Sequence, residues 1–513
     1  MNRIFALGLL LFCPALLYAQ PVFTLVTEAA GMADAGASHG AAWGDFDNDA
    51  WPDLLVANQE NQANFLYRNN GDGTFTRVLD GPIATDTLFS AAVAWADFNG
   101  DGLLDVFVAE GSTDERLVNS LFRNNGDGTF AKMTPEATGD LLDEAKYSEN
   151  AAWADPDGDG DLDLYVINWS GQTNDRFEND GQGRFTRLPD RTTVTRDFAV
   201  CLNWCDFDND GDADLFVARQ GLGIGLEGSE RADLSSKNSL FRNDGSGGLR
   251  LFYPGQRSHQ DPVAHDASQS ITSSWGDIDN DGDFDLFVGN FAGEANDLYR
   301  NNGDTTFTQI TASPVARDGG VSLGSAFADF DHDGDLDLFV ANGYGDPEND
   351  FFYLNDGTGV FMKVLEGPLV TSGGRSVATV AADYDHDGDL DLFVTDLDEE
   401  HPSRLYRNDT PGDRHWFKVR CVGTTSNTTA LGARVEVTAT LGGRLVTQTR
   451  EIAQQTGFGG HHELIAHFGL ADAAVVETLR ITWPSGLVQT FDAVAADQYV
   501  TVVEGGAMTP TVP

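Results

Sequence analysis

Asp329-Phe330-Asp331-His332-Asp333-Gly334-Asp335-Leu336-Asp337 decides how the rest of this chain is read. Carboxylates stand at positions 1, 3, 5 and 9, and a glycine stands at position 6. Oxygen ligands on alternate residues, a glycine for a sharp turn and a closing carboxylate make a calcium loop. The same nonapeptide starts again at Asp45, Asp97, Asp155, Asp206, Asp277 and Asp383. The candidate ligands are therefore Asp45, Asp47, Asp49 and Asp53, then Asp97, Asn99, Asp101 and Asp105, then Asp155, Asp157, Asp159 and Asp163. They continue with Asp206, Asp208, Asp210 and Asp214, with Asp277, Asp279, Asp281 and Asp285, with Asp329, Asp331, Asp333 and Asp337, and with Asp383, Asp385, Asp387 and Asp391. Position 7 adds a backbone carbonyl.

An EF-hand needs a glutamate at position 12 and flanking helices. Position 12 is Val166, Val288 or Val340 in three of the loops, inside predicted strands. A plain Asp-Gly turn explains neither the alternation nor the fixed ninth position. The loops are not equal. Loop 2 has the neutral Asn99 at position 3, and loop 1 runs Ala50-Trp51-Pro52 where the glycine belongs. Up to seven calcium ions are expected, with site 1 weakest and site 2 next. His332 and His386, at position 4, are expected to point into solvent.

Successive loops start 52, 58, 51, 71, 52 and 54 residues apart. A repeat of that length is one supersecondary unit that needs its neighbours to bury its apolar face. Each unit has an apolar run before the loop, a run such as Leu338-Phe339-Val340 after it, and a hairpin such as Phe122-Arg-Asn-Asn-Gly126-Asp-Gly128. Asn-Gly and Asp-Gly between apolar runs are strong hairpin signals. The Leu-Phe-Val runs do not alternate, so both faces of those strands are buried. Four strands per unit, seven times over, predict an all-β chain with a seven-bladed β-propeller. Phe23-Thr24-Leu25-Val26 matches Phe75-Thr76-Arg77-Val78, the fourth strand that the seventh unit lacks. It is expected to close the ring and so remove exposed sheet edges.

These units resemble the FG-GAP/VCBS repeat family, which implies calcium in the loop between the first and second strands of each blade. From about His415 the repeat stops and alternating runs follow, such as Trp416-Phe-Lys-Val-Arg-Cys421 and Leu479-Arg-Ile-Thr-Trp483. These predict a small β-sandwich. Leu431-Gly-Ala-Arg-Val435, Gly457-Phe-Gly459, His467-Phe-Gly-Leu470 and Trp483-Pro-Ser-Gly486 resemble the ASPIC/UnbV domain. That family usually carries a Ser-Gln pair where this chain has Gly459-Gly-His-His462, so no role of the pair is carried over. The two-domain order resembles that of bacterial relatives of cartilage acidic protein. The expected division is a signal peptide over 1–19, a propeller over 20–412, an ASPIC/UnbV-like β domain over 413–505 and a flexible tail over 506–513.

The chain has 513 residues, 41% of them hydrophobic, and a net charge of -50. Thirty-two aspartates lie inside the seven nonapeptides, so much of the acidity is organised, and seven divalent ions would cancel 14 charges. Nucleic-acid binding needs a basic footprint that is missing here. Met1-Asn2-Arg3, the apolar run Ile4–Leu17 and Tyr18-Ala19-Gln20 read as a secretory leader. No later segment is apolar for long enough to cross a membrane as a helix. Cys201, Cys205 and Cys421 read as small buried residues; the first two stand four apart on one strand, too far to pair.

His461, His462, Glu463 and His467 are close in sequence but match no zinc spacing. No catalytic or organic-cofactor residue is assigned. The expected function is a secreted or periplasmic, monomeric binding or adhesion module for an extracellular glycan or protein. The alternatives are an exported polysaccharide-degrading enzyme that uses the propeller cleft, and a passive envelope or matrix component. Ligand contacts are expected on the face opposite the loops, including the insertion Gln220–Lys237 with Glu227, Glu230 and Arg231, and at the channel mouth.

Overall fold

The run Asp337–Asn342 is buried at every residue, as its unbroken apolar pattern requires. It pairs antiparallel with Ser322–Ala328 on one side and with Phe351–Asn355 on the other. Phe361–Lys363 forms the outer edge, reached through the turn at Asn355-Asp356-Gly357. We call these strands A to D, inside to outside. The computed structural model describes residues 20–111, 116–169, 172–189, 199–220, 237–252, 263, 268–453 and 455–512. The leader 1–19, most of the insertion 220–237 and most of the connection 253–270 lie outside the described residues.

Among the described residues seven A-B-C-D sheets succeed one another. Their A strands are Ser38–Gly44, Ser90–Ala96, Ser148–Ala154, Ala199–Cys205, Ser270–Gly276, Ser322–Ala328 and Ser376–Ala382. Each packs on the next, and the last packs on the first, so the ring is closed around a central channel and the fold is a β-propeller. The aromatic residue one from the end of several A strands wedges between sheets. Trp95 stacks on Phe46 at 6.2 Å, and Trp153 on Phe98 at 6.4 Å.

The seventh sheet takes its D strand from the other end of the chain. Phe23–Leu25 pairs antiparallel with Arg404–Asn408, Phe23 opposite Asn408. Phe23 then fits edge-on against Phe330 and Phe352 of the sixth sheet, at 5.6 and 6.1 Å. Cys201, Cys205 and Cys421 are buried and free.

The C-terminal part forms two four-stranded sheets. One contains His415–Val422, Ala466–Ala471, Gln498–Val503 and Met508–Pro510; the other contains Arg434–Leu441, Arg444–Glu451, Val475–Thr482 and Val488–Ala495. Phe417, Val435, Phe468, Leu479 and Val500 share their core. Within the expected loose tail 506–513, the described residues 506–512 depart from that expectation: Val502 faces Met508, and Met508–Pro510 adds an edge strand.

Between the two sheets the chain leaves as a hairpin, Gln455–Thr456 and Gly460–His461. It enters the propeller and pairs parallel with Ala41 and Ala42, widening the first sheet to six strands. Its tip residue Phe458 packs among Val200, Ile271, Leu323 and Val377 of four A strands and 5.1 Å from the ring of His39 on a fifth. The channel is therefore stoppered from one side. Among the described residues no helix is long and apolar enough to cross a membrane.

Candidate metal centres and the domain that covers them

Each nonapeptide bends back on its own first aspartate. Asp45 accepts the N–H groups of Asp49 and Ala50, both at 3.0 Å, and Asp277 accepts those of Asp281 and Gly282 at 3.0 and 3.1 Å. The bend needs two left-handed residues. Position 6 has φ between 84° and 99° at Gly102, Gly160, Gly211, Gly282, Gly334 and Gly388. In loop 1 Ala50 holds φ 71°, a conformation costly to a residue with a Cβ. Position 4 is left-handed as well, which explains its residues: Asn48, Asn209, Asn280, His332 and His386 have φ near 60°, and Gly100 and Gly158 have 69°.

The ninth carboxylate is the keystone. Asp53 accepts the N–H of Phe46 at 3.1 Å and that of Asn69 at 2.8 Å; Asp285 does the same with Ile278 and Asn301. The asparagine ending each C strand carries the pattern on to the neighbouring sheet. Its amide donates to the position-8 carbonyl of its own loop and to the position-2 carbonyl of the preceding loop. Asn124 reaches Phe46, Asn179 reaches Phe98, Asn243 reaches Pro156, Asn301 reaches Phe207, Asn355 reaches Ile278 and Asn408 reaches Phe330. These bonds are 2.6–2.8 Å long.

The donor set suits a hard divalent cation. Carboxylate oxygens of Asp45, Asp47 and Asp53 lie within 4.8 Å of one another, as do those of Asp155, Asp157 and Asp159, of Asp206, Asp208 and Asp210, of Asp277, Asp279 and Asp285, and of Asp329, Asp331 and Asp333. Buried oxygens on Asp47, Asp163, Asp208, Asp214, Asp279, Asp329, Asp383 and Asp385 have no hydrogen-bond donor. Burial pushes Asp163 up to about 8 and Asp214 up to about 9, although the N–H groups of Asn179 and Asn243 pull the other way. An all-oxygen cage whose carboxylates are desolvated and short of donors fits calcium, whose charge would restore the ionised form. In loop 2 the Asn99 amide donates to Asp105 at 3.1 Å, so part of that cage is filled by an internal bond.

The turn between strands C and D lies on the same side as the loop. A Cβ on Gly71 would come within 2.9 Å of Trp51. The C-terminal sheets cover this side. Lys418 meets Asp383 at 3.0 Å with both side chains 1% exposed, Arg414 meets Asp331 at 2.7 Å, and Arg420 lies 3.6 Å from Asp45. Thr428 donates to Asp97 at 2.6 Å, Gly469 donates through its N–H to Asp329 at 3.1 Å, and Glu451 accepts the N–H of Asp206 at 3.1 Å. Arg434 reaches Asn209 and the carbonyl of Gly282.

The position-4 histidines therefore depart from the expectation of solvated turns. His332 is 5% exposed, with its ring 5.4 Å from that of His467, and His386 stacks on Trp51 at 4.1 Å. The C-terminal domain buries what an isolated propeller would leave wet. His462 accepts the N–H of Ala381 at 2.9 Å, and His467 donates to the carbonyl of Gly388 at 2.8 Å. Both border a cavity of about 150 Å³ between the two domains, together with Lys418 and Glu463. Burial drives His461 and His462 down to about 3 and Glu463 up to about 7. His462 and His467 thus each bond a backbone group of the propeller, and no metal spacing relates the four residues. The Asn-Gly and Asp-Gly turns were legible in the sequence, but not the role of the asparagine before them; its recurrence two residues ahead of the turn glycine, as at Asn69, Asn124, Asn179 and Asn301, was the available sign of the clamp.

The profile of the FG-GAP-like repeat family matches residues 45–108, 97–166, 155–217, 277–340 and 329–394, and that of the ASPIC and UnbV family matches 423–509. Cartilage acidic protein 1 of Mus musculus is 24% identical over 527 residues, covering 95% of this chain and 77% of the relative. The Homo sapiens protein of the same name is 24% identical over 509 residues, covering 91% and 73%. Among solved structures, an Agrocybe aegerita lectin that recognises non-reducing terminal N-acetylglucosamine superposes at a TM-score of 0.46 and 17% identity, covering 72% of this chain and 88% of its own. A likeness that loose carries no ligand across.

Proposed function

The chain belongs to the FG-GAP-like repeat family, and from that premise we propose that it is an exported, monomeric, calcium-loaded scaffold that binds extracellular glycan or protein. The single observation behind this is the division of labour between the two faces. One face holds the donor-poor carboxylate clusters and is covered by the C-terminal domain. The other carries the loops between strands B and C and between D and the next A, where repeat length varies most. Variable loops on a rigid frame are the usual seat of recognition. In this reading the calcium is structural: it neutralises the clusters, holds the clamped loops and keeps the covering domain seated. All seven nonapeptides take part, through the residues at their positions 1, 3, 5 and 9. The cartilage named in the mammalian relatives agrees with an extracellular setting.

Two measurements test this. Calorimetric titration of metal-stripped protein should give several calcium ions per chain, and arrays of matrix glycans and proteins should be bound in calcium and not in chelator. Absence of calcium uptake refutes the scaffold, and turnover of a labelled polysaccharide would make the protein an enzyme.

A further inference from the structure

Where the ring closes, the face away from the nonapeptides carries a groove of about 1010 Å³. One wall is the chain leaving the borrowed D strand, Leu25 to Ala29; the other is the connection Ser372 to Arg375. Asp396, which ends strand B of the seventh sheet, and Asp398 and His401 from the loop after it complete the groove. The walls are fixed. Glu348 and Gly374 exchange backbone bonds of 3.0 and 3.1 Å, Arg404 donates to the carbonyl of Gly373 at 3.0 Å, and Thr27 accepts the N–H of Leu405 at 2.9 Å. A Cβ on Gly374 would come within 2.6 Å of the Arg404 guanidinium, so only glycine lets the wall approach that closely.

The chemistry of the floor is mixed. Arg404 borders the groove but is 7% exposed, and Asp396 and Asp350 lie 3.6 and 3.8 Å from its guanidinium. Arg375, half-buried, borders it as well. Beside these donors stand the carboxylates of Asp396, Asp398 and Glu28. Asp396 is paired with Arg404 and Asp398 lies 3.1 Å from His401, so the groove offers no large excess of either charge to hold an ionic ligand. A hydroxyl suits both, because it donates to a carboxylate while accepting from a guanidinium N–H. Several hydroxyls in a row, on a body that fills a groove of this size, describe a sugar chain.

We propose that this groove is a binding subsite for a neutral oligosaccharide, oriented by Arg375 and Arg404 on one side and by Asp396 and Asp398 on the other. The assignment rests on the binding function proposed above and gives it a ligand class. Strand Phe23–Leu25 then does two jobs: it closes the ring, and the chain running on from it supplies a wall of the site.

The test is saturation-transfer NMR and calorimetry on the full calcium-loaded chain with cellobiose, lactose and maltotriose. Digalacturonate and glucosamine serve as charged controls. At least one neutral sugar should bind more tightly than either control. Arg375→Ala and Asp398→Ala should each weaken it by about tenfold or more, the cost of a charge-assisted hydrogen bond, with the melting temperature within about 2 °C of the parent. Tighter binding of a charged control, or no binding of any neutral sugar, overturns the assignment. Undiminished binding in both variants also overturns it but leaves the wider function standing, because the sugar then sits elsewhere. Loss of calcium uptake in the same samples would instead indict the scaffold.

Discussion

The side-chain amide of Asn69 donates to the backbone carbonyl of Tyr384 at 2.8 Å and so joins the first sheet to the seventh across 315 residues of sequence. The six other C-strand asparagines make the same bond to the sheet before them. The bond is thus local in space, repeated around the ring and independent of strand pairing. Replacing Asn69 with alanine orphans two buried carbonyls, those of Tyr384 and Pro52. We expect a loss of about 2–4 kcal/mol in urea unfolding, and a similar loss for Asn355→Ala inside the ring. A cost below about 1 kcal/mol for both would mean that the clamp is incidental.

Calcium removal should lower the melting temperature sharply. At roughly 1 mM calcium and a dissociation constant of about 10⁻⁴ M, each occupied site contributes about 1.4 kcal/mol. Magnesium should restore little, because it demands a smaller octahedral shell. Identical melting curves in calcium and in chelator would rule out a structural role.

Deleting residues 20–27 should destabilise the whole propeller and not only its last sheet. The deletion strips the outer partner of Arg404–Asn408, removes Phe23 from between Phe330 and Phe352, and takes Thr27 from the N–H of Leu405. The expected readout is a lower urea midpoint with one cooperative transition. An unchanged midpoint would show that the strand is decorative.

Lys418 and Asp383 form an ion pair sealed between the two domains. In chelator, Lys418→Met leaves a buried carboxylate without its partner and should cost about 3–5 kcal/mol. Arg480→Ala breaks a pair with Glu436 on the domain's outer surface, where Arg480 is 44% exposed, and should cost under about 1 kcal/mol. Equal costs would mean that the domain interface contributes nothing special.

Glu149 faces the channel at the place held by His39, Val200, Ile271, Leu323 and Val377 in other sheets, and burial pushes it up to about 8. A carboxyl with a folded value above its unfolded one is fully accommodated below pH 4.5. It loses stability as pH rises from there to 8, and nothing further changes above that. Glu149→Gln should therefore match the parent at pH 4 and exceed it at pH 8.5 by something on the order of 3 kcal/mol. A difference that does not grow with pH would show that the carboxyl is well solvated.

Whatever repeats could be read from the order of amino acids. The nonapeptides, the buried strand after each, the Asn-Gly hairpins and the orphan strand Phe23–Leu25 were legible because ligand spacing and strand period are fixed by local backbone geometry. Position 4 was half legible: asparagine, glycine and histidine there signal a left-handed residue, but not that His332 and His386 would be covered. Where the two domains meet emerges only when distant segments pack together. Gly457-Phe458-Gly459 becomes a channel stopper only when five A strands converge around it, and Lys418 finds Asp383 only when the second domain sits on the loop face. The groove beside Arg375 was not legible even though the returning strand was, because its walls, Leu25 to Ala29 and Ser372 to Arg375, meet only once the ring has closed. Short-range spacing writes the blades, while desolvation and charge pairing between distant segments select which face is sealed and which is left to bind.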